Sequence, residues 1–312
     1  MTDATCPICS ASGAPFTSHE RERERWTCFH CPQCASEYWS PRVIRPGFYE
    51  DGHEDTYERR HGGERFLRPR HRLFLARAQR GTLLDIGCGE GSFLGEAQAR
   101  GFAVHGIDLD ERSISVARER GLANVWATPL FDADSRTLAA PLRDLRNLDY
   151  VTAFEVLEHQ ADPLAFLGHT RDLLAPRGML CGSVPNRERL FANRQRRINF
   201  GDFPPHHFLW FSAETLAHTL RTAGFTDVHV QPVPEDEVTP YAAYLEDALL
   251  GVYTKGAKAK VNARLASGKR GSKKLVKRIA RAVKNVPFLP LALAVRTLAP
   301  QRQRTLYFEA HR

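Results

Sequence analysis

The chain has 312 residues and a formal net charge of +8, yet it contains no acidic residue between Asp247 and Glu309, where 15 Lys and Arg lie. The rest of the chain carries 29 basic against 36 acidic residues, a net charge of −7. This arithmetic excludes a uniformly basic nucleic-acid binder and describes an acidic folded body with one basic segment.

The composition, 42% hydrophobic and 26% charged, is typical of a folded soluble protein with one full-sized core and smaller modules. No run approaches the roughly 18 apolar residues that span a bilayer, and the first residues, MTDATCPICS, contain no hydrophobic signal region. We therefore expect a cytoplasmic protein with seven reduced cysteines, so that a cluster of them indicates metal binding rather than disulfides.

The first predicted module is a cysteine-rich head, with five cysteines in the first 34 residues. Two CxxC turns on separate hairpins direct four thiolates at one point, a geometry that suits a structural Zn²⁺. We favour four ligands: Cys6, Cys9, Cys31 and Cys34. Spacing alone does not decide which four cysteines bind the metal, because Cys28 also forms a CxxC pair with Cys31. His19 and His30 are further candidate ligands. The alternative is a head whose reduced cysteines bind no metal. A ribbon of this size cannot build a core large enough to fold unaided. The metal would therefore contribute to its free energy of folding.

The next segment, residues 46–80, alternates aromatic and charged residues and follows two breaks at prolines. This pattern predicts one or two helices that connect the head to the next domain. We expect its aromatic side chains to dock the connector on that domain and to shape a lid.

An apolar run over 82–86 ends in Gly87-Cys-Gly89-Glu-Gly91 and is followed by a helical pattern over 92–100. Glycines let the backbone approach a ligand closely, and a helix N-terminus offers free N–H groups. A second strand over 103–107 ends at Asp108, an acid placed to accept both hydroxyls of a ribose. The turn contains no Lys or Arg, which argues against a phosphate ligand.

Further apolar runs predict strands near 124–127 and over 149–154, 179–184 and 227–233, alternating with amphipathic helices such as the one that starts at Asp162-Pro163. This alternation predicts a mostly parallel sheet that is covered on both faces. Ligands of such sheets bind at the carboxyl ends of the strands, where Gly87, Asp108 and Glu155 fall.

Four motifs in order, LDIGCGEGSF, GIDLD, DYVTAFEVLEHQADP and LLAPRGMLCGSVPN, resemble the motif series of class I S-adenosylmethionine-dependent methyltransferases over residues 81–233. The cysteine head is similar to the N-terminal zinc ribbon of a bacterial subgroup of these enzymes. The resemblance implies a Rossmann-like α/β fold with seven strands in the order 3-2-1-4-5-7-6. The alternating sequence RTLYFEAH at 304–311 matches the antiparallel seventh strand.

The resemblance also implies a binding site for S-adenosylmethionine. The residues that it assigns to the cofactor are Asp85, Gly87, Gly89, Gly91, Asp108 and Leu109. Asp85 and the glycine turn would hold the methionine part, Asp108 the ribose hydroxyls, and Leu109 would flank the adenine, with residues 127–130 closing the pocket. Carboxylates near a glycine turn suit a zwitterion that carries a sulfonium.

Methyl transfer to a hydroxyl requires alignment of the acceptor and removal of its proton. The candidates for this chemistry are Glu155, Glu158, His159 and His207. Their spacing resembles the metal-binding signature of ubiquinone O-methyltransferases and of small-RNA 3′-terminal 2′-O-methyltransferases, in which Mg²⁺, Mn²⁺ or Zn²⁺ would polarise the hydroxyl. A metal-free histidine base and a structural role are the alternatives, because the string EVLEH also occurs in relatives without an acceptor-site metal.

Residues 234–300 are predicted to be a helical insertion before the last strand. Over 273–286 the apolar residues recur at helical spacing, with six Lys and Arg on the other face. This pattern is typical of an interfacial anchor on anionic lipid. Contact with RNA and packing against the protein's own domain are the alternatives.

The sequence thus predicts four parts: a zinc-ribbon-like module at 1–45, a helical connector at 46–80, a cofactor-binding domain at 81–233 with 301–312, and a basic insertion at 234–300. We expect O-methylation of a small-molecule, saccharide or lipid-linked acceptor, in the cytoplasm or at the inner face of the membrane. A zinc-ribbon protein or methyltransferase that acts on RNA is the alternative. The sequence fixes neither the acceptor, nor the atom methylated, nor the oligomeric state.

Overall fold

The computed structural model describes residues 4–21, 24–43, 67–132, 134, 136–198, 200–234 and 289–312. These residues form one sheet of four strands and one of seven. Residues 44–66, which end the head and begin the connector, lie outside the described residues, as do residues 235–288 of the insertion with the predicted basic helix at 273–286. Among the helices that are described, none has the length and apolar character to cross a membrane.

The four-stranded sheet is antiparallel and belongs to the cysteine-rich head. Strands β1 (Ala14–Arg21), β2 (Glu24–His30) and β3 (Glu37–Ser40) pair in chain order. The fourth strand, β9 (Leu209–Trp210), comes from a distant part of the chain and pairs with β3. The head is therefore built into the main domain through a shared sheet.

The seven-stranded sheet has the order β10-β11-β8-β7-β4-β5-β6. Its strands are β4 (Thr82–Ile86), β5 (Ala103–Asp108), β6 (Val125–Ala127), β7 (Leu148–Phe154), β8 (Leu174–Pro185), β10 (Thr226–Pro232) and β11 (Thr305–His311). Strand β11 runs antiparallel to both of its neighbours, and the pairs among β4 to β8 are parallel. This arrangement confirms the predicted Rossmann-like fold class, including the insertion of the last strand between the fifth and sixth strands of the large sheet.

The described residues form seven α-helices. They are α1 (Pro69–Arg77), α2 (Ser92–Ala99), α3 (Glu111–Glu119), α4 (Pro163–Leu173), α5 (Ala192–Ile198), α6 (Ala213–Thr222) and α7 (Leu289–Leu298). The predicted start of α4 is capped as expected, because the Asp162 carboxylate accepts the backbone N–H of Ala165 at 2.9 Å and Pro163 occupies the first helical position.

The core lies on both faces of the large sheet. Leu83 and Leu84 of β4 are adjacent in the chain, so their side chains point to opposite faces, and both are fully buried. This pattern explains why the central strands read as nearly continuous apolar runs. Since β4, β5 and β7 are parallel neighbours, their carboxyl ends meet at one edge of the sheet, where the predicted site residues lie.

Candidate functional site

The glycine turn joins β4 to α2 with a left-handed backbone: φ is +77° at Gly87, +52° at Gly89 and +72° at Gly91. A Cβ at Gly91 would lie 2.1 Å from Cδ1 of Leu122, whereas a Cβ at Gly89 would point into open space. Gly91 thus permits close packing behind the turn, and Gly89 leaves the backbone accessible to a ligand.

Two carboxylates flank the turn. Asp85 is 4% exposed and accepts a hydrogen bond from Oγ1 of Thr152 at 2.7 Å. Asp108 accepts the backbone N–H of Gly89 at 2.8 Å and that of Asp110 at 2.9 Å. The Asp108 side chain therefore ties the glycine turn to the start of α3.

The environment of these two acids favours a cationic ligand. Burial raises the pKa of Asp85 to about 7, although the hydrogen bond from Thr152 lowers it. The negative charge of Asp108 adds to the rise. Burial also raises the pKa of Asp108, although its backbone hydrogen bonds oppose the shift. A positive charge between the two carboxylates would offset both penalties.

The residues predicted to surround an adenine lie beside Asp108. Leu109 follows it and is 36% exposed, so an apolar side chain faces outward next to the acid. Ala127, the last residue of β6, pairs with Asp108 across the sheet, and Leu130 is buried just beyond it. An apolar ring could therefore lie between Leu109 and the end of β6.

Glu158 is buried in the turn that follows β7. Its side chain is fully buried, and neither carboxylate oxygen has a hydrogen-bond partner among the described residues. Burial raises the pKa of Glu158, and the charge of Glu155 adds to the rise. A buried acid in this condition requires either a proton or a cation, because an unpaired charge is costly in a low dielectric.

Two imidazoles face Glu158. Its Oε1 lies 3.9 Å from Nε2 of His159 and 3.9 Å from Nε2 of His207, and one ligand atom from each of the three residues falls within 4.8 Å of the others. Nδ1 of His159 contacts the carbonyl oxygen of His206, and Nδ1 of His207 lies 3.7 Å from Oδ1 of Asp202. With each Nδ1 facing an oxygen, the tautomer that carries its proton on Nδ1 would direct the Nε2 lone pair of each imidazole toward Glu158.

The structure brings Glu158, His159 and His207 together but holds Glu155 separately. Glu155 has φ +60°, and its Oε1 accepts a hydrogen bond from Oγ of Ser183 at 2.9 Å. The same oxygen lies 3.7 Å from Nη1 of Arg70 in α1. Glu155 thus stands at the same sheet edge as the cluster, engaged by a hydroxyl and a guanidinium.

Arg70 and Asp202 lie beside the predicted site residues Glu155 and His207, and sequence reasoning misses both. Arg70 projects from the connector helix, where only the aromatic pattern carries a signal. Burial alone would raise the pKa of Asp202, but His207 and Arg189 lower it. The ionised Asp202 is also 3.2 Å from Nε of Arg196. The sequence GDFPPHH places Asp202 five residues before His207. Because the segment between the two residues is neither a helix nor a strand, that spacing does not predict that the two side chains meet.

The four favoured cysteines converge in the head. Their sulfurs lie within 4.8 Å of one another, with Cys6 and Cys34 3.6 Å apart and Cys9 and Cys31 3.4 Å apart. Burial opposes ionisation of Cys31, but the backbone N–H groups of its turn and the Cys9 thiol lower its pKa to about 7. Four sulfurs around one point, with N–H groups that stabilise thiolate, fit a closed tetrahedral Zn²⁺ site.

Cys28 and the two alternative histidines are not part of this group. Cys28 is fully buried in a cluster with Trp26, Trp39 and Trp210, and burial raises the pKa of its thiol. The ring of His19 stacks on Phe203 at 4.7 Å. His30, at the end of β2, pairs with Glu37 of β3 and lies outside the four-sulfur cluster.

Comparison with known families gives a match over more than half of the chain. A family model described as a methyltransferase domain matches residues 57–230. The match includes the glycine turn, both flanking acids, the Glu158 cluster and strands β4 to β10 in part or whole. The cysteine-rich head lies outside it.

Curated relatives match a shorter stretch. A ubiquinone biosynthesis O-methyltransferase of Cereibacter sphaeroides is 40% identical over 112 residues, which cover 35% of this chain and 44% of the relative. The protein of the same name from Paramagnetospirillum magneticum is 41% identical over 108 residues, covering 34% and 41%. The chain thus spans less than half the length of these relatives.

A solved structure with the same fold is the SAM-dependent methyltransferase from Archaeoglobus fulgidus. It aligns with a TM-score of 0.50 and 21% identity, covering 82% of this chain and 98% of that chain. At this level of identity the likeness shows the fold alone.

Proposed function

The chain belongs to the methyltransferase domain family, and from that premise we propose that it binds S-adenosylmethionine and transfers the methyl group to a hydroxyl. The acceptor is a small-molecule, saccharide or lipid-linked compound. The relatives named as O-methyltransferases of ubiquinone biosynthesis support oxygen as the methylated atom.

One observation carries the proposal: a cluster of one buried acid and two half-buried histidines lies at the same sheet edge as a glycine turn with two desolvated carboxylates. The turn follows β4, Asp108 ends β5 and Glu158 follows β7, and these three strands are neighbours. The hydrogen bond from Thr152 to Asp85 links β7 to β4 at this edge. The acidic turn suits the sulfonium of the cofactor, and the cluster suits a proton-bearing acceptor beside it.

In this proposal Asp85 and the backbone of the glycine turn hold the methionine part, with the Asp108 carboxylate toward the ribose. Arg70 supplies a cation near Glu155 that suits the carboxylate of the methionine part. Leu109 flanks the adenine. Together these groups orient the methyl group for an in-line displacement.

On the acceptor side we assign Glu158, His159 and His207 to one divalent cation, Mg²⁺, Mn²⁺ or Zn²⁺. The donor set fits, because both Glu158 oxygens lack a partner among the described residues and both Nε2 atoms face them. When bound, such a cation would polarise the acceptor hydroxyl. Asp202 and the carbonyl of His206 would hold the two imidazoles in the orientation that this requires.

In the head we assign Cys6, Cys9, Cys31 and Cys34 to a structural Zn²⁺. The closed set of four sulfurs leaves no place for a substrate, so the ion would stabilise the fold of the ribbon. The similarity of the head to the ribbon of a bacterial methyltransferase subgroup supports this assignment.

The test of O-methylation uses S-adenosylmethionine labelled with ¹³C in the methyl group and a bacterial metabolite extract as the source of acceptor. The carbon chemical shift of the transferred methyl distinguishes oxygen, nitrogen and carbon as the receiving atom. We expect an O-methyl signal with a matching yield of S-adenosylhomocysteine. A product with only N-methyl or C-methyl signals would contradict the proposal.

We further propose that the acid-free segment between Asp247 and Glu309 contacts an anionic membrane surface from the cytoplasmic side. Support comes from its 15 Lys and Arg and from α7, where Leu293 is 45% and Leu298 83% exposed. In a vesicle flotation assay at low salt, we expect the full chain to float with phosphatidylglycerol vesicles. With phosphatidylcholine vesicles it should remain in the bottom fraction. Equal behaviour with both lipids would argue against the contact.

A further inference from the structure

The head and the acceptor side of the site share one buried residue, Phe208. Its carbonyl oxygen accepts the backbone N–H of Trp39 in β3 at 2.8 Å. Its own N–H donates to the carbonyl oxygen of Glu158 at 2.8 Å. Phe208 also follows His207 directly, so the backbone of a single residue connects the ribbon sheet to the backbone of two of the three clustered residues.

Other contacts reinforce this connection. Nε of Arg42, just after β3, donates to the carbonyl oxygen of Ala161 at 2.9 Å, two residues beyond His159. Nη1 of Arg187 donates to the carbonyl oxygen of Ala35 at 2.8 Å, next to Cys34. Strand β9 pairs with β3 immediately after Phe208. The head is therefore joined to the chain on both sides of the cluster.

The cofactor side is held by other means. The hydrogen bonds of Asp85 and Asp108 run to Thr152, Gly89 and Asp110. All of these residues belong to the large sheet and its turns. A change in the head therefore reaches the acceptor cluster through hydrogen bonds that bypass the cofactor turn.

We propose that metal binding by Cys6, Cys9, Cys31 and Cys34 positions the acceptor side of the site. Tyr38 of β3 packs into the core of the main domain, and a metal on Cys31 and Cys34 would fix the turn that leads into β3. Without an ordered β3, Phe208 loses its bond from Trp39, and Glu158 and His207 lose the geometry that suits a cation. Cofactor binding stays unchanged. This inference rests on the proposed function, because it takes the Glu158 cluster as a cation site.

The test compares wild type with Cys9→Ser as full chains. Zinc content is measured by mass spectrometry, Mn²⁺ affinity by electron paramagnetic resonance, and S-adenosylmethionine affinity by calorimetry. In Cys9→Ser we expect zinc to be lost and Mn²⁺ to bind about 10- to 100-fold more weakly, the range for lost support of a metal ligand. The affinity for S-adenosylmethionine should match wild type.

Three further variants distinguish an effect of zinc loss from a general effect of substituting a buried cysteine, and identify the Mn²⁺ site. Cys28→Ala removes a buried cysteine outside the four-sulfur group and should keep both metals. Cys9→His restores a zinc ligand and should rescue Mn²⁺ affinity. His207→Ala should abolish Mn²⁺ binding while keeping zinc, which identifies the Mn²⁺ site.

Equal Mn²⁺ affinity in Cys9→Ser and wild type would overturn the inference and leave the proposed function intact. Joint loss of Mn²⁺ and S-adenosylmethionine binding in Cys9→Ser would overturn it too, because the head would then support the whole domain. A wild type that holds a single zinc ion and binds no Mn²⁺ would overturn both the inference and the assigned cation site.

Discussion

Replacing His207 with alanine is expected to lower the rate of methyl transfer by about 10²- to 10⁴-fold, the usual contribution of a positioned proton-transfer or cation-binding group. Nε2 of His207 lies 3.9 Å from Glu158 and its Nδ1 faces Asp202, so the substitution removes an oriented imidazole from the cluster. The affinity for S-adenosylmethionine should stay within about twofold of wild type, because His207 lies on the acceptor side. Steady-state kinetics and calorimetry measure the two quantities.

The matched control is His218→Ala, which removes an exposed imidazole from α6, outside the cluster. It should leave both quantities unchanged. Full activity in His207→Ala would contradict the assignment of the cluster to acceptor chemistry. An equal fall in cofactor affinity and rate would instead show that His207 supports the fold of the site.

Asp85→Asn should have two opposite effects: loss of S-adenosylmethionine binding by about 100-fold or more, and a more stable protein without cofactor at pH 8. Burial raises the pKa of Asp85 from its ordinary value of 3.8 to about 7 in the folded protein. The folded state therefore binds more protons than the unfolded state between these values. Wild type loses stability as the pH rises through that window, by about 1.4 kcal/mol for each pKa unit.

An asparagine at position 85 can still accept the hydrogen bond from Thr152 but cannot ionise. Thermal unfolding at pH 5 and pH 8 measures the effect, and the advantage of Asp85→Asn over wild type should be larger at pH 8. Asp172→Asn, which replaces an exposed carboxylate of α4, is the control. A lower melting temperature of Asp85→Asn at pH 8 would mean that the ionised carboxylate stabilises the fold.

The large sheet could be predicted because its signals are local. Apolar runs bounded by Gly87, Asp108 and Glu155 marked three strand ends, and Asp162-Pro163 marked a helix start that the structure confirms. A strand that is buried on both faces carries its own pattern wherever it lies in the chain. The order of the last two strands followed from the family resemblance, since periodicity does not specify which strands pair.

The junction between head and domain could not be predicted. Strand β9 has two residues, which is too short for the alternation of apolar and polar residues that predicts a strand. Its partner β3 lies some 170 positions earlier in the chain. The exclusion of Cys28 from the sulfur cluster did have a local signal. In β2, Cys28 is two residues from Trp26 and therefore on the same face, away from a loop metal site. Arg70 and Asp202 enter the site only through tertiary packing.

Calorimetric titration of the full chain with S-adenosylmethionine tests the central claim most directly. Gly89→Ala and Gly121→Ala are a matched pair, because both glycines have positive φ and open space at Cβ, so each alanine costs about 1–2 kcal/mol of backbone strain. We predict that wild type and Gly121→Ala bind the cofactor, whereas Gly89→Ala and Asp108→Ala bind it far more weakly. Absence of binding by wild type, or undiminished binding by Asp108→Ala, would contradict the account.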